Sequence, residues 1–312
     1  MQVHTNINAI PSFKNAVVTI GAFDGVHIGH QKVISQLKEE AFAANGESVV
    51  VTFNPHPRTV VHAHDMHILS TLNEKIELLQ QAAINHVVII PFTKTFAQQT
   101  AIAYIEDFLV KKFNPHTIVI GYDHKFGKNR SGNYALLEFL ATKYNFRVKE
   151  IAQQIVQEIS ISSTSIRKAL INHNISRANV LLGYNYFFEG KVIEGDKRGR
   201  TIGFPTANLL IENTEKLIPA DGVYAVTASL INKGNFIMNN VKGMMNIGMR
   251  PTFNTTQHSI EVHLFDFDER IYDKHLRVHV HQYLRSQQKF DNVEMLKEQL
   301  FADKAKALIA LN

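Results

Sequence analysis

Val17-Val-Thr-Ile-Gly-Ala-Phe-Asp-Gly-Val-His-Ile-Gly-His30 decides the fold class. Four β-branched residues in a row read as a buried strand. The glycine-containing segment after them reads as a tight loop, and its last residues as the start of a helix. The helical pattern then runs over Gln31–Ala44. Working outward, β-branched runs recur at Ser48–Phe53, His86–Pro91 and Thr117–Gly121, with helical patterns at Asn73–Ala83, Thr95–Phe113 and Tyr134–Tyr144 between them. Strand–helix alternation every roughly 30–35 residues is the mark of βαβ units and a parallel sheet. The runs are nearly continuously apolar, as strands buried on both faces are.

After about residue 184 the texture changes. Phe187–Ile193, Gly222–Leu230, Val241–Met249, Ser259–Phe267 and Leu276–Leu284 read as strands parted by Gly, Asn, Pro and Asp turns, with no helical pattern between them. In Ser259–Phe267, Ile260, Val262 and Leu264 alternate with Glu261, His263 and Phe265, placing the two sets on opposite faces. A final helix is expected from about Asn292, with Asp291 as N-cap, Glu294 completing a capping box, and Val293, Leu296, Leu300, Leu308 and Ile309 as its apolar stripe. Asn172–Gly183 reads as a short connecting helix. The expected fold class is α/β followed by all-β. A Rossmann-like parallel-sheet domain spans 1–184, and a small antiparallel β-barrel with a C-terminal helix spans 185–312.

The 312 residues are 45% apolar and 20% charged, ordinary for a soluble globular chain and enough for a proper core. The absence of cysteine excludes disulfides, thiolate catalysis and Cys-ligated metal centres. No apolar run approaches the ~20 residues of a membrane span, and no basic-then-apolar leader opens the chain, so a cytoplasmic protein is expected. Lys and Arg exceed Asp and Glu by 33 to 28, and the densest basic spots, Lys125–Arg130 and Lys197–Arg200, are short and contain glycine. That texture suits a phosphate-bearing small molecule better than a nucleic acid, which is recognised by a continuous basic stripe. His62-Ala-His-Asp-Met-His67 fits no strong zinc spacing and is read as a solvated loop; the His279 and His281 pair is read as surface or packing.

Open α/β sheets bind ligands at the carboxyl ends of their strands. In the loop after the first quoted strand, Gly21 and Gly25 let the backbone turn close to a ligand, and Gly29 lets a phosphate approach the first helical turn, where free N–H groups favour an anion. His27 and His30 stand three apart, on one helical face. Two imidazoles there suit the charge that builds on a phosphorus under attack. Further on, Ile161-Ser-Ser-Thr-Ser-Ile-Arg167 is a helix entry whose hydroxyls and arginine suit a departing pyrophosphate, though the residues alone read equally as an ordinary capped helix. Asn54-Pro-His-Pro57 and Asp123 lie at strand ends on the same edge, where a plain turn and a cap are the competing readings.

GAFDGVHIGH, with Phe23 and Asp24 between its glycines and histidines, resembles the nucleotide-binding signature of the HxGH nucleotidyltransferases. Thr52-Phe-Asn-Pro-His-Pro57, Gly121-Tyr-Asp-His-Lys-Phe-Gly127 with Arg130 and Gly132, and Ile161–Arg167 resemble, in order, the blocks of the adenylyltransferase half of bacterial bifunctional riboflavin kinase/FAD synthetases. His124 departs from the phenylalanine usual there. The resemblance implies nucleotide contacts at Gly21, Phe23, Asp24, Gly29, Ser163, Thr164 and Arg167, and flavin contacts at Asn54 and Asp123.

The segment Gly190-Lys-Val-Ile-Glu-Gly-Asp-Lys-Arg-Gly-Arg-Thr-Ile-Gly-Phe-Pro-Thr-Ala-Asn208 carries four glycines and one proline. Thr206 and Asn208, two apart, point the same way if extended, and their oxygens suit Mg²⁺. Arg198 and Arg200 can lie over phosphates; a flexible hairpin loop is the alternative. With Ile218–Tyr224, Asn246–Phe253 and Ile260–Phe267, this segment resembles the riboflavin kinase module. The resemblance implies that Gly195, Arg198 and Arg200 face ATP, that Thr206 and Asn208 bind magnesium and phosphate, and that Glu261 is the catalytic base. No GxxxxGK[ST] loop and no HRD or DFG motif is present, so the kinase reading comes from this module alone. The expected protein is bifunctional: riboflavin and ATP give FMN in the second module, and FMN and a second ATP give FAD and pyrophosphate in the first. Its cofactor is Mg²⁺ and its partners are ATP and flavins, with neither nucleic acid nor membrane. A nucleotidyltransferase for another acceptor, with the β module only binding it, is the rival enzyme. A salt-sensitive nucleic-acid binder is the rival non-enzyme.

Overall fold

The structure, a computed structural model, describes residues 1–61, 66–122, 124–151, 161–195, 198–232, 235–252 and 255–312. The chain divides into two compact units, Met1–Ser163 and Thr164–Asn312.

The first unit holds one parallel sheet of β1 (Gln2–His4), β2 (Val17–Ile20), β3 (Ser48–Asn54), β4 (His86–Pro91), β5 (Thr117–Gly121) and β6 (Arg147–Ile151). Its order is β1-β4-β3-β2-β5-β6. The four strands legible in the sequence are the four interior ones. β1 is only three residues long, and β6 (Arg147-Val-Lys-Glu-Ile) carries three charges, as exposed edge strands do. Every residue of β2 is buried, together with Val49 and Val51 of β3, Val88 of β4, and Ile118 and Ile120 of β5.

Helices α1 (Ile28–Ala43), α2 (Leu72–Gln81) and α3 (Tyr134–Tyr144) connect the strands. Thr71 and Glu74 form a capping box on α2, and Asn133 caps α3 by accepting from Leu136 N. The single helix expected over Thr95–Phe113 is instead two pieces, because Thr93 and Thr100 each cap a fresh start: Lys94–Ala97, then a helical stretch from Ala101 to Phe113 that is π-helical over Tyr104–Val110. β2 has β3 on one side and β5 on the other, so the chain order reverses there. The crevice at the carboxyl end of β2 is therefore the topological switch point of the sheet.

The second unit begins with α4 (Ser163–Ile171), which crosses the division, and α5 (Ile175–Leu182). Asn174 caps α5, and Gly183 closes it at φ 80°. The strands β7 (Phe187–Ile193), β8 (Ala207–Leu210), β9 (Gly222–Asn232), β10 (Asn235–Thr252), β11 (Thr255–Leu264) and β12 (His275–Arg285) close into a barrel in the order β10-β11-β8-β7-β12-β9. All its pairings are antiparallel, and closure leaves no free edge. β8 is absent from the sequence reading because it is only four residues long and its first two, Ala207 and Asn208, end the glycine- and proline-bearing segment.

A last helix, α6 (Val293–Ala310), lies over Phe204, Ala225, Met244 and Phe265, contributing Ala307 to that cluster, with Leu300 and Leu308 against it. Its N-cap is Asn292, not Asp291: Asn292 Oδ1 accepts from Met295 N at 2.8 Å. Val293 and Ile309, assigned to its apolar stripe, are exposed. The helix is also pinned by charge. Asp303 is fully buried and takes Arg285 Nε and Nη2 at 3.0 and 2.7 Å, with Gln299 Nε2 at 2.8 Å. Removing only the cation strands a buried carboxylate, so Arg285→Met is expected to cost the barrel unit about 3–5 kcal/mol. The urea midpoint of the intact chain reads this, and an unshifted midpoint contradicts it.

Candidate active sites

The first site grows from the end of β2. Gly21 N still donates to Val51 O at 3.1 Å, after which the chain turns sharply: Phe23, Gly25 and Val26 have φ of 47°, 77° and 36°. Positive φ at a phenylalanine and a β-branched valine is uncommon and must be held by something. Asp24 holds it. Its buried carboxylate accepts from Leu69 N (2.9 Å), Ser70 N (3.1 Å) and Ser70 Oγ (3.4 Å), while Gly25 N donates to Ser70 Oγ at 2.9 Å. Asp24, expected among the nucleotide contacts, therefore anchors the loop in the structure.

The strained turn delivers His27 to the N-cap of α1, earlier than the helical pattern suggests. His27 Nδ1 accepts from His30 N at 3.4 Å, and the two rings stack with centroids 3.7 Å apart and 15° between planes. A Cβ at Gly29 would stand 3.2 Å from the His27 ring, so glycine makes room for that histidine as well as for a ligand. Burial, then His27, then Lys75, hold His30 well below the usual histidine pKa. Its imidazole is therefore neutral at neutral pH. His30 Nδ1 is buried without a hydrogen-bond partner among the described residues. Such an atom in a polar site at a helix N-terminus is what an incoming phosphate oxygen can satisfy.

Ser163, at the start of α4, donates its hydroxyl to Asp24 O at 3.1 Å, so this predicted residue joins the loop. Thr164 and Arg167 lie further along the same helix. Asn54 stands exposed at the carboxyl end of β3, on the crevice edge. Asp123 lies outside the described residues. His124 sits 5.8 Å, ring to ring, from Phe126, which stacks on Tyr104.

One residue of this site escapes sequence reading. Lys75 on α2 is buried, with Nζ 3.4 Å from both Thr52 Oγ1 and Phe53 O at the end of β3. Burial lowers its pKa to about 8, against the opposing pull of Asp24. A lysine in an amphipathic helix reads as a solvated charge, and no local pattern marks it otherwise.

The second site is built by β8 and β11. Asn208 stands opposite Glu261 in the ladder, and Thr206 Oγ1 donates to Glu261 Oε2 at 3.3 Å. A Cβ at Gly195 would lie 2.1 Å from Asn208 Nδ2, so the glycine admits that amide. Thr206, Asn208 and Glu261, expected from separate segments, thus meet. Thr206 also lines a cavity of about 630 Å³, bounded with it by Val192, Arg200, Val262, Leu264 and the Phe267–Tyr272 segment, a size suited to a small-molecule ligand; strand alternation sets Glu261 on the face away from Val262 and Leu264. Arg200 Nη2 reaches Tyr272 OH at 3.3 Å. Arg198 opens a single helical turn, Arg198–Thr201. The Thr206 hydroxyl and the Asn208 amide oxygen are hard donors that match the ligand chemistry of Mg²⁺. His62, His64 and Asp65 lie outside the described residues; among those described, no group of three or more His, Asp or Glu side chains is placed to hold a metal ion. The His279 ring lies tilted against Phe187 with centroids 5.3 Å apart, and His281 Nε2 is 3.0 Å from Thr227 Oγ1.

The FAD synthetase family profile matches residues 9–165, and the riboflavin kinase profile matches residues 182–311. The chain is 38% identical to a bifunctional riboflavin kinase/FMN adenylyltransferase of Haemophilus influenzae, over 95% of this chain and 94% of that one. It is 34% identical to the protein of the same description from Escherichia coli K12, over 97% and 94%. A crystal structure from Streptococcus pneumoniae, described as a macrolide-efflux protein, superposes with a TM-score of 0.84 at 30% identity, covering 97% of both chains. Among the described residues of the present chain, no helix is long and apolar enough to cross a membrane.

Proposed function

The chain belongs to the bifunctional riboflavin kinase/FMN adenylyltransferase family, and from that membership we propose which of its residues carry each reaction. It phosphorylates riboflavin with ATP to FMN, and it adenylylates FMN with ATP to FAD and pyrophosphate. Its substrates are small molecules: ATP, riboflavin and FMN.

In the barrel, Glu261 takes the proton of the riboflavin 5′-hydroxyl as that oxygen attacks the γ-phosphorus. An alcohol is a poor nucleophile until deprotonated, and a carboxylate within reach supplies this. Thr206 and Asn208 hold Mg²⁺, which offsets phosphate charge when bound. The triphosphate is assigned to Gly195, Arg198 and Arg200. The observation that carries the assignment is the meeting of Thr206, Asn208 and Glu261, with Thr206 also lining a cavity of ligand size.

At the β2 edge no base is needed, because the FMN phosphate is already an anion. The task there is to stabilise charge on the α-phosphorus. His27, His30 and the N–H groups of α1 do this; Gly21, Phe23 and Asp24 form the loop that presents them. Ser163, Thr164 and Arg167 receive the leaving pyrophosphate, and the flavin is assigned to Asn54 and Asp123. We place the functional boundary at 184/185. The protein is read as cytoplasmic, where ATP and riboflavin meet.

Lys75 supplies the buried positive charge of the first site. It is a cation below about pH 8 and neutral above. FAD synthesis from FMN is therefore expected to decline above about pH 8, and Lys75→Arg, which keeps its charge, carries the decline to higher pH. A pH profile of kcat/KM for both reactions checks this, since riboflavin phosphorylation by the same chain lacks the group. An unmoved limb in the variant removes Lys75 from the account.

A further inference from the structure

His263 lies two residues beyond Glu261 on β11, on the same side of the strand. The ladder between β11 and β8 pairs Glu261 with Asn208 and Val262 with Ala207, and goes no further. The next residues back along the chain are Thr206 and Pro205. Proline has no N–H and cannot extend the ladder, so the peptide bearing the Thr206 hydroxyl needs another fastening. His263 provides it: its Nδ1 is 2.7 Å from Pro205 O. A carbonyl only accepts, so Nδ1 carries the proton and donates. The ring is buried and held from both sides, 5.1 Å from the Phe204 ring and 5.7 Å from the Phe265 ring. Phe204 is itself fastened, its N donating to Gly199 O at 2.8 Å.

We propose that His263 is a positioning residue for phosphoryl transfer: its Nδ1–H fixes the Pro205 carbonyl and thereby sets the Thr206 hydroxyl against Glu261. The inference rests on the assignment of Thr206 and Glu261 made above. Groups that orient ligands at one remove typically matter about 10–100-fold in affinity or activity.

The test uses the full chain with both reactions assayed in each sample, so that FAD synthesis from FMN reports folding and concentration. His263→Phe keeps a ring of similar bulk and deletes the donor. It is expected to lower kinase kcat/KM for ATP·Mg²⁺ by about 10–100-fold, with KM for ATP rising, while FMN adenylylation stays near normal. His263→Asn places an amide N–H close to the lost Nδ1–H and is expected to restore most of the loss. Thr206→Val, removing the positioned hydroxyl itself, is the reference. A kinase unaffected by His263→Phe overturns the proposal. So does a His263→Asn variant as damaged as His263→Phe, which also decides the matter if His263→Phe fails to fold. A kinase indifferent to Thr206→Val is a different result: it refutes the site assignment on which the inference rests.

Discussion

Glu261→Gln is expected to lower the rate of riboflavin phosphorylation about 10²–10⁴-fold, the ordinary worth of a general base, while FMN adenylylation in the same chain stays near wild type. Glutamine keeps the shape and an acceptor oxygen, so Thr206 Oγ1 retains a partner at the position now 3.3 Å away. What it loses is the capacity to take a proton. The ladder position opposite Asn208 keeps the backbone in place, and the buried Ile260 and Val262 on either side are untouched. The loss should therefore fall on kcat more than on binding. Substitution with unchanged kinase kcat would remove Glu261 as the base. A parallel fall in both activities would argue against two separate sites.

His30→Ala is expected to do the reverse, lowering FAD synthesis about 10²–10³-fold, the typical cost of one missing donor at a centre of developing charge. The kinase should be unaffected. His30 sits in the first turn of α1 with its ring stacked on His27. Two cations cannot share that spacing cheaply, which agrees with the neutral state enforced on His30 by burial and by its neighbours. The partnerless Nδ1 is the atom whose loss should be felt. His30→Gln, which keeps a polar group in the same region, should lose less than His30→Ala. Measuring FMN conversion in each variant checks this, and FAD synthesis that survives His30→Ala intact would remove the β2 loop from the adenylyl-transfer site.

Much of this is legible in the residues. Interior strands of a parallel sheet must be apolar throughout, so Val17–Ile20 and its three neighbours announce themselves. Edge strands need not be apolar, and β1 and β6 are silent for that reason. β8 is hidden because it is four residues long and begins within a segment whose glycines and proline read as loop. Family resemblance groups Thr206, Asn208 and Glu261; that the ladder sets Asn208 against Glu261 is a fact of register, which neither segment reveals by itself. Lys75 goes unnoticed because burial of a lysine is decided by the crevice it enters and not by its own helix. Asp24 reads as a ligand contact, and that its carboxylate also accepts from Leu69 and Ser70 backbone groups, far along the chain, is not visible in its own segment. The splitting of Thr95–Phe113 comes from two threonine caps whose sequence signal is weak inside a helix-forming stretch.

The central claim is that two chemistries reside on two separately vulnerable sets of side chains. A chromatographic time course with riboflavin, ATP and Mg²⁺, run on the wild type, Glu261→Gln and His30→Ala, puts it to the test directly. The wild type should pass riboflavin through FMN to FAD. His30→Ala should stop at FMN, and Glu261→Gln should leave riboflavin untouched yet still turn added FMN into FAD. If either substitution silences both steps, or if neither changes the course, the claim is wrong.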